Sequence, residues 1–321
     1  MSSSSSNSCS STKVFDLGKY VVELLSLSDQ SINKPSKIPP PKPLLIATPT
    51  QEGKFPVLVF LHGYLLYNSF YSQLIRHLAS HGFVVVAPQL YDVAGPDSTE
   101  EIKAAAAVTE WLAKGLQPEL PTLVQPNLTK LGIAGHSRGG KVAFALALGQ
   151  HKMISNASLK YSALMGIDPV DGMGKGSQTP PPVLTYVPHS FDLNMAAMVV
   201  GSGLGELKKN PLFPPCAPKG VNHRDFFDEC CSPACHFVVK DYGHLDMLDD
   251  ETKGLRGRAT YCICKNGKAR EPMRRFVGGI MVAFMKAYLE DKHEELIEIR
   301  KMGEGNATSL PVELETMDFR I

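Results

Sequence analysis

The chain has 321 residues, 43% of them hydrophobic and 20% charged, with 33 lysines and arginines against 32 aspartates and glutamates and a formal net charge of +1. That balance provides no basic excess to neutralise a phosphate backbone, which excludes nucleic-acid binding. The apolar content is too high for a disordered chain, and the longest apolar runs, such as residues 83–87, fall far short of the ~20 residues a membrane helix needs.

In chain order, residues 1–42 read as a tail. Met1 to Thr12 is serine-rich, lacks acidic residues before Asp16 and has no apolar core of a secretory signal, so it reads as a floppy polar segment or a possible transit segment. Pro39, Pro40, Pro41 and Pro43 then favour extended backbone. From 43 to 292 short β-branched runs alternate with helical stretches. Strands are expected at 44–47, 57–61, 84–87, 131–134, 163–167, 198–200 and 237–239, and helices at 69–80, 99–114, 140–148 and 274–289. The strands are near-continuous apolar runs, as strands buried on both faces should be. The alternation predicts an α/β fold, a mostly parallel central sheet with helices on both faces, whose sites gather at the carboxyl ends of the strands. Residues 293–321 read as a charged, loosely held C-terminal tail.

Cysteines stand at 9, 216, 230, 231, 235, 262 and 264. Cys230, Cys231, Cys235, His236, Cys262 and Cys264 can be drawn as a zinc site, but the spacing lacks two clean CxxC pairs, so ordinary thiols or one local disulfide are expected and no metal.

The apolar run 131–134 leads into Gly135-His136-Ser137-Arg138-Gly139-Gly140. This is G-x-S-x-G in the context that gives it meaning, a buried strand before and a helix after. A serine on so sharp a turn needs small residues two places before and after it, here Gly135 and Gly139. Ser137 is therefore the expected nucleophile, with the Arg138 N–H as one oxyanion donor. A second donor belongs to the loop after an earlier strand, where His62-Gly63-Tyr64 stands; Tyr64 N–H is the first choice and Leu65 the second. His62 is expected to hold that loop by hydrogen bonds.

In chain order the acid and then the histidine should follow. His244 lies in the loop leaving the last predicted strand, whereas His223 and His236 are less well placed and His136 points elsewhere along the turn. Two acids compete. Asp168 follows the run 163–167 and is fixed by Pro169; Glu206 follows the next strand in a stretch that continues into Lys208 and Lys209 and reads as solvated. Asp168 is favoured.

Together with GHSRGGK around Ser137, the segments MGIDPVDG, GSGLG, NPLFPPCAP, DYGHLDMLDD, MRRFVGG and HGYLLYNSFYSQL resemble the plant chlorophyllases over roughly residues 44 to 290. HGY and SHGFVVVAP also resemble cutinase-like polyester hydrolases and platelet-activating-factor acetylhydrolases, where the acid follows the earlier strand. The resemblance implies an α/β-hydrolase fold, hydrolysis of the phytyl ester of chlorophyll a or b to chlorophyllide, and a triad of Ser137, Asp168 and His244; the expected location is the chloroplast, with the cytosol or an endomembrane surface as alternatives. Pheophytin should serve as well, and membranes holding the pigment are a possible peripheral contact. No cofactor is needed, since chlorophyll's magnesium arrives with the substrate.

The residues alone reach a serine ester hydrolase with an apolar substrate. The apolar preference rests on insertions at 171–190 and 206–235; Leu65, together with Phe213, Phe226 and Phe227 of the second, is expected to wall the substrate site. A general lipase or polyester hydrolase shares every catalytic residue, and a non-catalytic receptor for a terpenoid or tetrapyrrole could be built on the same fold.

Overall fold

The computed structural model describes residues 11–28, 38–149, 159–304 and 310–320. Among the described residues, nine strands form one sheet: β1 (Val22–Leu27), β2 (Leu44–Pro49), β3 (Gly53–Leu61), β4 (Val84–Pro88), β5 (Val124–His136), β6 (Ala163–Ile167), β7 (Ala196–Ser202), β8 (Ala234–Val239) and β9 (Leu314–Arg320). Their spatial order is β1-β2-β4-β3-β5-β6-β7-β8-β9. The six strands from β4 to β8 in that order are parallel; at one end β2 pairs antiparallel with both β4 and β1, and at the other β9 pairs antiparallel with β8.

Successive side chains of a strand point to opposite faces, and β3 shows what this requires here. Val57, Val59 and Leu61 enter one apolar cluster while Leu58 and Phe60 enter the other, all of them 0–1% exposed. On the Leu58 and Phe60 face lie α1 (Ser72–Ser80) and α6 (Glu271–Glu290); on the Val57 face lie α2 (Thr99–Gly115), α3 (Arg138–Ala147) and α4 (His223–Glu229). Both faces being covered, a parallel strand has no polar side to show, and alternation disappears from its sequence. The result is an α/β-hydrolase fold.

Two corrections concern the ends of the chain. The expected N-terminal tail contains ordered structure: a 3-10 turn, Ser11–Phe15, places Val14 and Phe15 in the core, with Phe15 stacked on Phe276 at 6.0 Å, and β1 pairs with β2. Residues 1–10 and 29–37 of that tail lie outside the described residues. The expected C-terminal tail supplies α7 (Glu294–Glu304) and β9, which closes the outer edge of β8. Both strands are sheet edges, half-exposed along their length. An edge strand needs no continuous apolar run, so neither announces itself by composition. Two short helices were also not expected: α4, capped by Asn222 in a reciprocal capping box with Asp225, and α5 (Gly254–Ala259).

Candidate active site

Ser137 sits between the end of β5 and the start of α3 with φ 56° and ψ −123°, a left-handed strain that its neighbours impose. Its N–H donates to Ile167 O (3.0 Å) and its carbonyl accepts from Lys141 and Val170 N–H (both 3.2 Å). The two elbow glycines are sterically required. A Cβ on Gly135 would stand 2.1 Å from Gly139 O, and one on Gly139 2.3 Å from Leu61 O.

The Ser137 hydroxyl donates to His244 Nε2 at 2.8 Å, and His244 Nδ1–H donates to Asp168 Oδ2, also at 2.8 Å. The three residues leave β5, β6 and β8 at the same edge of the sheet and are 8%, 4% and 0% exposed for Ser137, His244 and Asp168. Asp168 has φ 44° and is pinned by its N–H to Val200 O at 2.6 Å. Burial alone would raise the pKa of this carboxyl. Hydrogen bonds from His244 and Ser202, with His223 nearby, outweigh it and hold the group below the usual carboxylate range. Asp168 is therefore an anion poised to balance positive charge on the imidazole. Glu206, the competing acid, instead accepts from Asn222 Nδ2 at 2.9 Å.

Behind the relay lies a second chain of hydrogen bonds. Gly63 N–H donates to Tyr71 Oη (3.0 Å), Tyr71 Oη–H donates to His136 Nδ1 (2.7 Å), and His136 Nε2–H donates to the carbonyl of His244 (2.8 Å). His136 thus ties the glycine turn after β3 to the histidine loop after β8. Every donor has an acceptor only while the ring is neutral, and burial pushes its pKa down to about 3. His62 plays the holding part expected of it. Its Nδ1–H donates to Gly63 O (2.9 Å) and Nε2 accepts from Leu90 N–H (3.0 Å), with burial lowering its pKa to about 4.

Tyr64 and Leu65 lie in the turn closed by Leu66 N–H on Gly63 O (3.2 Å), where Leu65 has φ 56°. Among the described residues, the N–H groups of Tyr64 and Arg138 have no protein acceptor, whereas the Leu65 N–H donates to the Tyr91 hydroxyl. The Arg138 guanidinium packs over the Tyr64 ring (5.2 Å), donates to Gly95 O and Asp97 O (2.8 and 2.7 Å) and pairs with buried Glu101 at 2.8 Å. The Tyr64 hydroxyl donates to Ala94 O at 3.0 Å. One side chain of the elbow therefore braces the turn after β3 and the loop after β4 together.

The expected substrate wall needs correction. Phe226 is fully buried, 4.8 Å from Phe144 and 6.3 Å from Phe191, within the cluster beneath α4. Phe227 is 5% exposed and stacks on His236 at 4.7 Å, with Arg320 over its other side at 4.0 Å. Both pack α4 onto the sheet, because aromatics two-thirds of the way through the insertion fall in a helix and not in a loop. Phe213 is half-exposed in the loop after β7, and Leu65 is half-buried in the turn after β3. His223 and His236 bond each other (2.9 Å). The cysteines also differ from expectation: Cys216 is joined to Cys264 across 48 residues, so the disulfide is not local. Cys230 and Cys235 are buried free thiols, and Cys231 and Cys262 are exposed. Among the described residues, no group of three or more His, Cys, Asp or Glu is placed to hold a metal.

Ser202, Tyr71 and Glu101 were not foreseen. Ser202 ends a strand beside the acid and was findable from that position; Tyr71 and Glu101 reach the site from helices on opposite faces of the sheet and leave no local trace.

A nine-stranded sheet with a strained serine, a histidine and a buried carboxylate in hydrogen-bonded sequence on its carboxyl edge defines the α/β-hydrolase class of esterase. The profile of the chlorophyllase family matches residues 10–320. The chain is 58% identical to Chlorophyllase-2 of Arabidopsis thaliana, over 97% of this chain and 99% of that protein. It is 48% identical to Chlorophyllase-1 of the same plant, over 80% and 79%, and 41% identical to Chlorophyllase-1, chloroplastic, of Citrus unshiu, over 95% and 88%. The chain belongs to the chlorophyllase family.

Proposed function

We propose that this esterase cleaves the ester between the propionate side chain of chlorophyll and phytol, through an acyl-enzyme on Ser137. The observation that carries the mechanism is the unbroken relay from Ser137 Oγ through His244 to Asp168, with both contacts at 2.8 Å. His244 Nε2 takes the hydroxyl proton as Ser137 Oγ attacks the ester carbonyl carbon. Asp168 holds the imidazole in the tautomer that leaves Nε2 free and balances the imidazolium that forms. The free N–H groups of Arg138 and Tyr64 receive the oxyanion; losing one such donor typically costs about 10²–10³ in rate. His244 returns the proton to the phytol oxygen as the carbon–oxygen bond breaks. Water then attacks the acyl-enzyme by the same steps, releasing chlorophyllide and restoring Ser137.

The magnesium of chlorophyll belongs to the substrate and takes no part at the carbonyl, so pheophytin is a substrate as well. Leu65 and Phe213, the expected wall residues that reach the surface, are the proposed contacts for the apolar groups. A chloroplast location and peripheral contact with pigment-bearing membranes complete the reading. They are supported by the names of the Citrus relatives and by the lipid nature of the substrate. Among the described residues, no helix is long and apolar enough to cross a membrane.

The test is product analysis. Purified protein given chlorophyll in detergent should release chlorophyllide and phytol in equal amounts, and Ser137→Ala should release neither while keeping its fold. Undiminished hydrolysis by that variant would remove Ser137 from the mechanism, and products other than this pair would remove the substrate assignment.

A further inference from the structure

Two loops leave the carboxyl ends of β7 and β8 and stand beside the relay on its acid and histidine sides. They are fastened to each other by the Cys216–Cys264 disulfide, by a backbone bridge between Lys208 and Cys264, and by Leu204 N–H on Tyr242 O (2.9 Å). Their composition departs from that of the whole chain. Residues 207–220 and 252–270 contain nine lysines and arginines and no aspartate or glutamate, in a protein whose charges otherwise nearly cancel. Lys208, Lys209 and Lys219 on the first loop and Lys253, Arg258, Lys265 and Lys268 on the second are exposed, and none forms an ion pair among the described residues. Carboxylates stand just outside these segments: half-buried Glu206 before the first, and exposed Glu251 and Glu271 at the two ends of the second.

The same two loops expose large apolar side chains: Leu212 at 88%, Leu255 at 85%, and Leu207, Phe213, Tyr261 and Ile263 to a lesser degree. A soluble protein hides such residues unless the patch has a partner. Apolar tips interleaved with unpaired cations are suited to the boundary between headgroups and acyl chains, where each kind of side chain finds its match. An acidic protein surface would satisfy the cations but leave Leu212 and Leu255 in water.

We propose that these two disulfide-joined loops dock the protein on a bilayer bearing anionic headgroups, with the catalytic edge turned toward the lipid. The inference deepens the reading of the substrate given above and rests on it only for the reason such docking is useful: an ester carrying a long isoprenoid alcohol passes from bilayer to Ser137 without crossing water. The face itself stands on charge and exposure.

The experiment uses full-length Ser137→Ala protein, so that docking is read without turnover. It should cosediment with vesicles of phosphatidylcholine and phosphatidylglycerol, more weakly at high salt, and not with phosphatidylcholine alone. A cation near an anionic surface is worth roughly fivefold in partitioning. The triple variant Lys208→Glu, Arg258→Glu, Lys268→Glu should therefore lower binding at least about tenfold, as should Leu212→Ser with Leu255→Ser. Lys54→Glu, Lys114→Glu and Lys160→Glu make the same change in net charge at the opposite, amino edge of the sheet and should lower binding less than about threefold. The same substitutions in a Ser137-containing background should leave turnover of a short water-soluble ester intact, which shows that each variant is folded. If the leucine pair does not fold, the charge variants still decide. No binding to the anionic vesicles, binding equal on neutral ones, or equal loss from the two charge triples would overturn the proposal, whatever the outcome for chlorophyll hydrolysis.

Discussion

Asp168→Asn keeps the size and nearly the shape of the side chain and removes only its charge and one acceptor. In the native site the carboxylate accepts from His244 Nδ1–H at 2.8 Å and from both the hydroxyl and the N–H of Ser202, with no exposure to water. An amide cannot serve all three donors. If its NH₂ faces His244, the imidazole must carry its proton on Nε2 and can no longer accept the proton of Ser137. If its oxygen faces His244, the NH₂ confronts the Ser202 N–H, leaving a buried donor without an acceptor at a cost of about 1–3 kcal/mol, and the imidazolium loses its counter-charge. Together these correspond to a fall in kcat of about 10⁴, the loss measured for the same change in a serine protease triad and equal to about 5.5 kcal/mol of barrier. Initial rates on a water-soluble p-nitrophenyl ester, with circular dichroism to confirm the fold, measure it, and Glu206→Gln in parallel should stay within a factor of a few of wild type. A loss of less than about tenfold in Asp168→Asn, or equal losses in the two variants, would refute the assignment of the acid.

Three further outcomes are expected. Acid should destabilise the fold earlier than carboxylate titration alone predicts. Burial lowers His62 and His77 to about 4 and His136 to about 3, so the unfolded chain binds protons that the native one refuses. This stability is complete above pH 6.5 and is lost as pH falls toward 4, by about 2 kcal/mol per histidine between pH 7 and 5, readable from urea midpoints. Tyr71→Phe strands the Gly63 N–H and His136 Nδ1 and should lower stability by about 2–4 kcal/mol while reducing kcat on the soluble ester more than it changes KM; an unchanged midpoint and kcat would remove the network from the account. Phe226→Ala should cost about 3–5 kcal/mol by opening a core cavity yet leave kcat/KM for phytyl and methyl esters in the same ratio, whereas a collapsed ratio would restore Phe226 to the substrate wall.

What could be read from the sequence divides along physical lines. The six parallel strands were legible because burial on both faces writes itself as unbroken apolar runs, and the elbow because a serine at φ 56° demands glycine two places to either side. Asp168 was legible as a carboxylate standing abruptly at the end of such a run. The edge strands β1 and β9 were not, since pairing on one side only leaves half their residues free to be polar. Phe226 and Phe227 suggest a lining because a Pro-rich insertion suggests a loop, whereas the capping box of Asn222 and Asp225 starts a helix there. The bracing of the elbow by Arg138 and Glu101, and of the histidine loop by Tyr71, depends on contacts between residues far apart in the chain, which no local pattern records.

The antiparallel strand at the far end of the sheet bears on how the molecule is made. β8 ends at Val239 and its partner β9 begins only at Leu314, and Arg320 of β9 donates to the carbonyls of Phe227 and Cys230 at 2.6 Å. Synthesis therefore delivers the strand that launches the histidine loop well before the strand that covers its outer flank, and β8 waits with that flank unpaired until β9 has emerged. A premature stop before Leu314 leaves the serine, histidine and aspartate all encoded but β8 open to other chains, so the shortened product is converted into a seed for association.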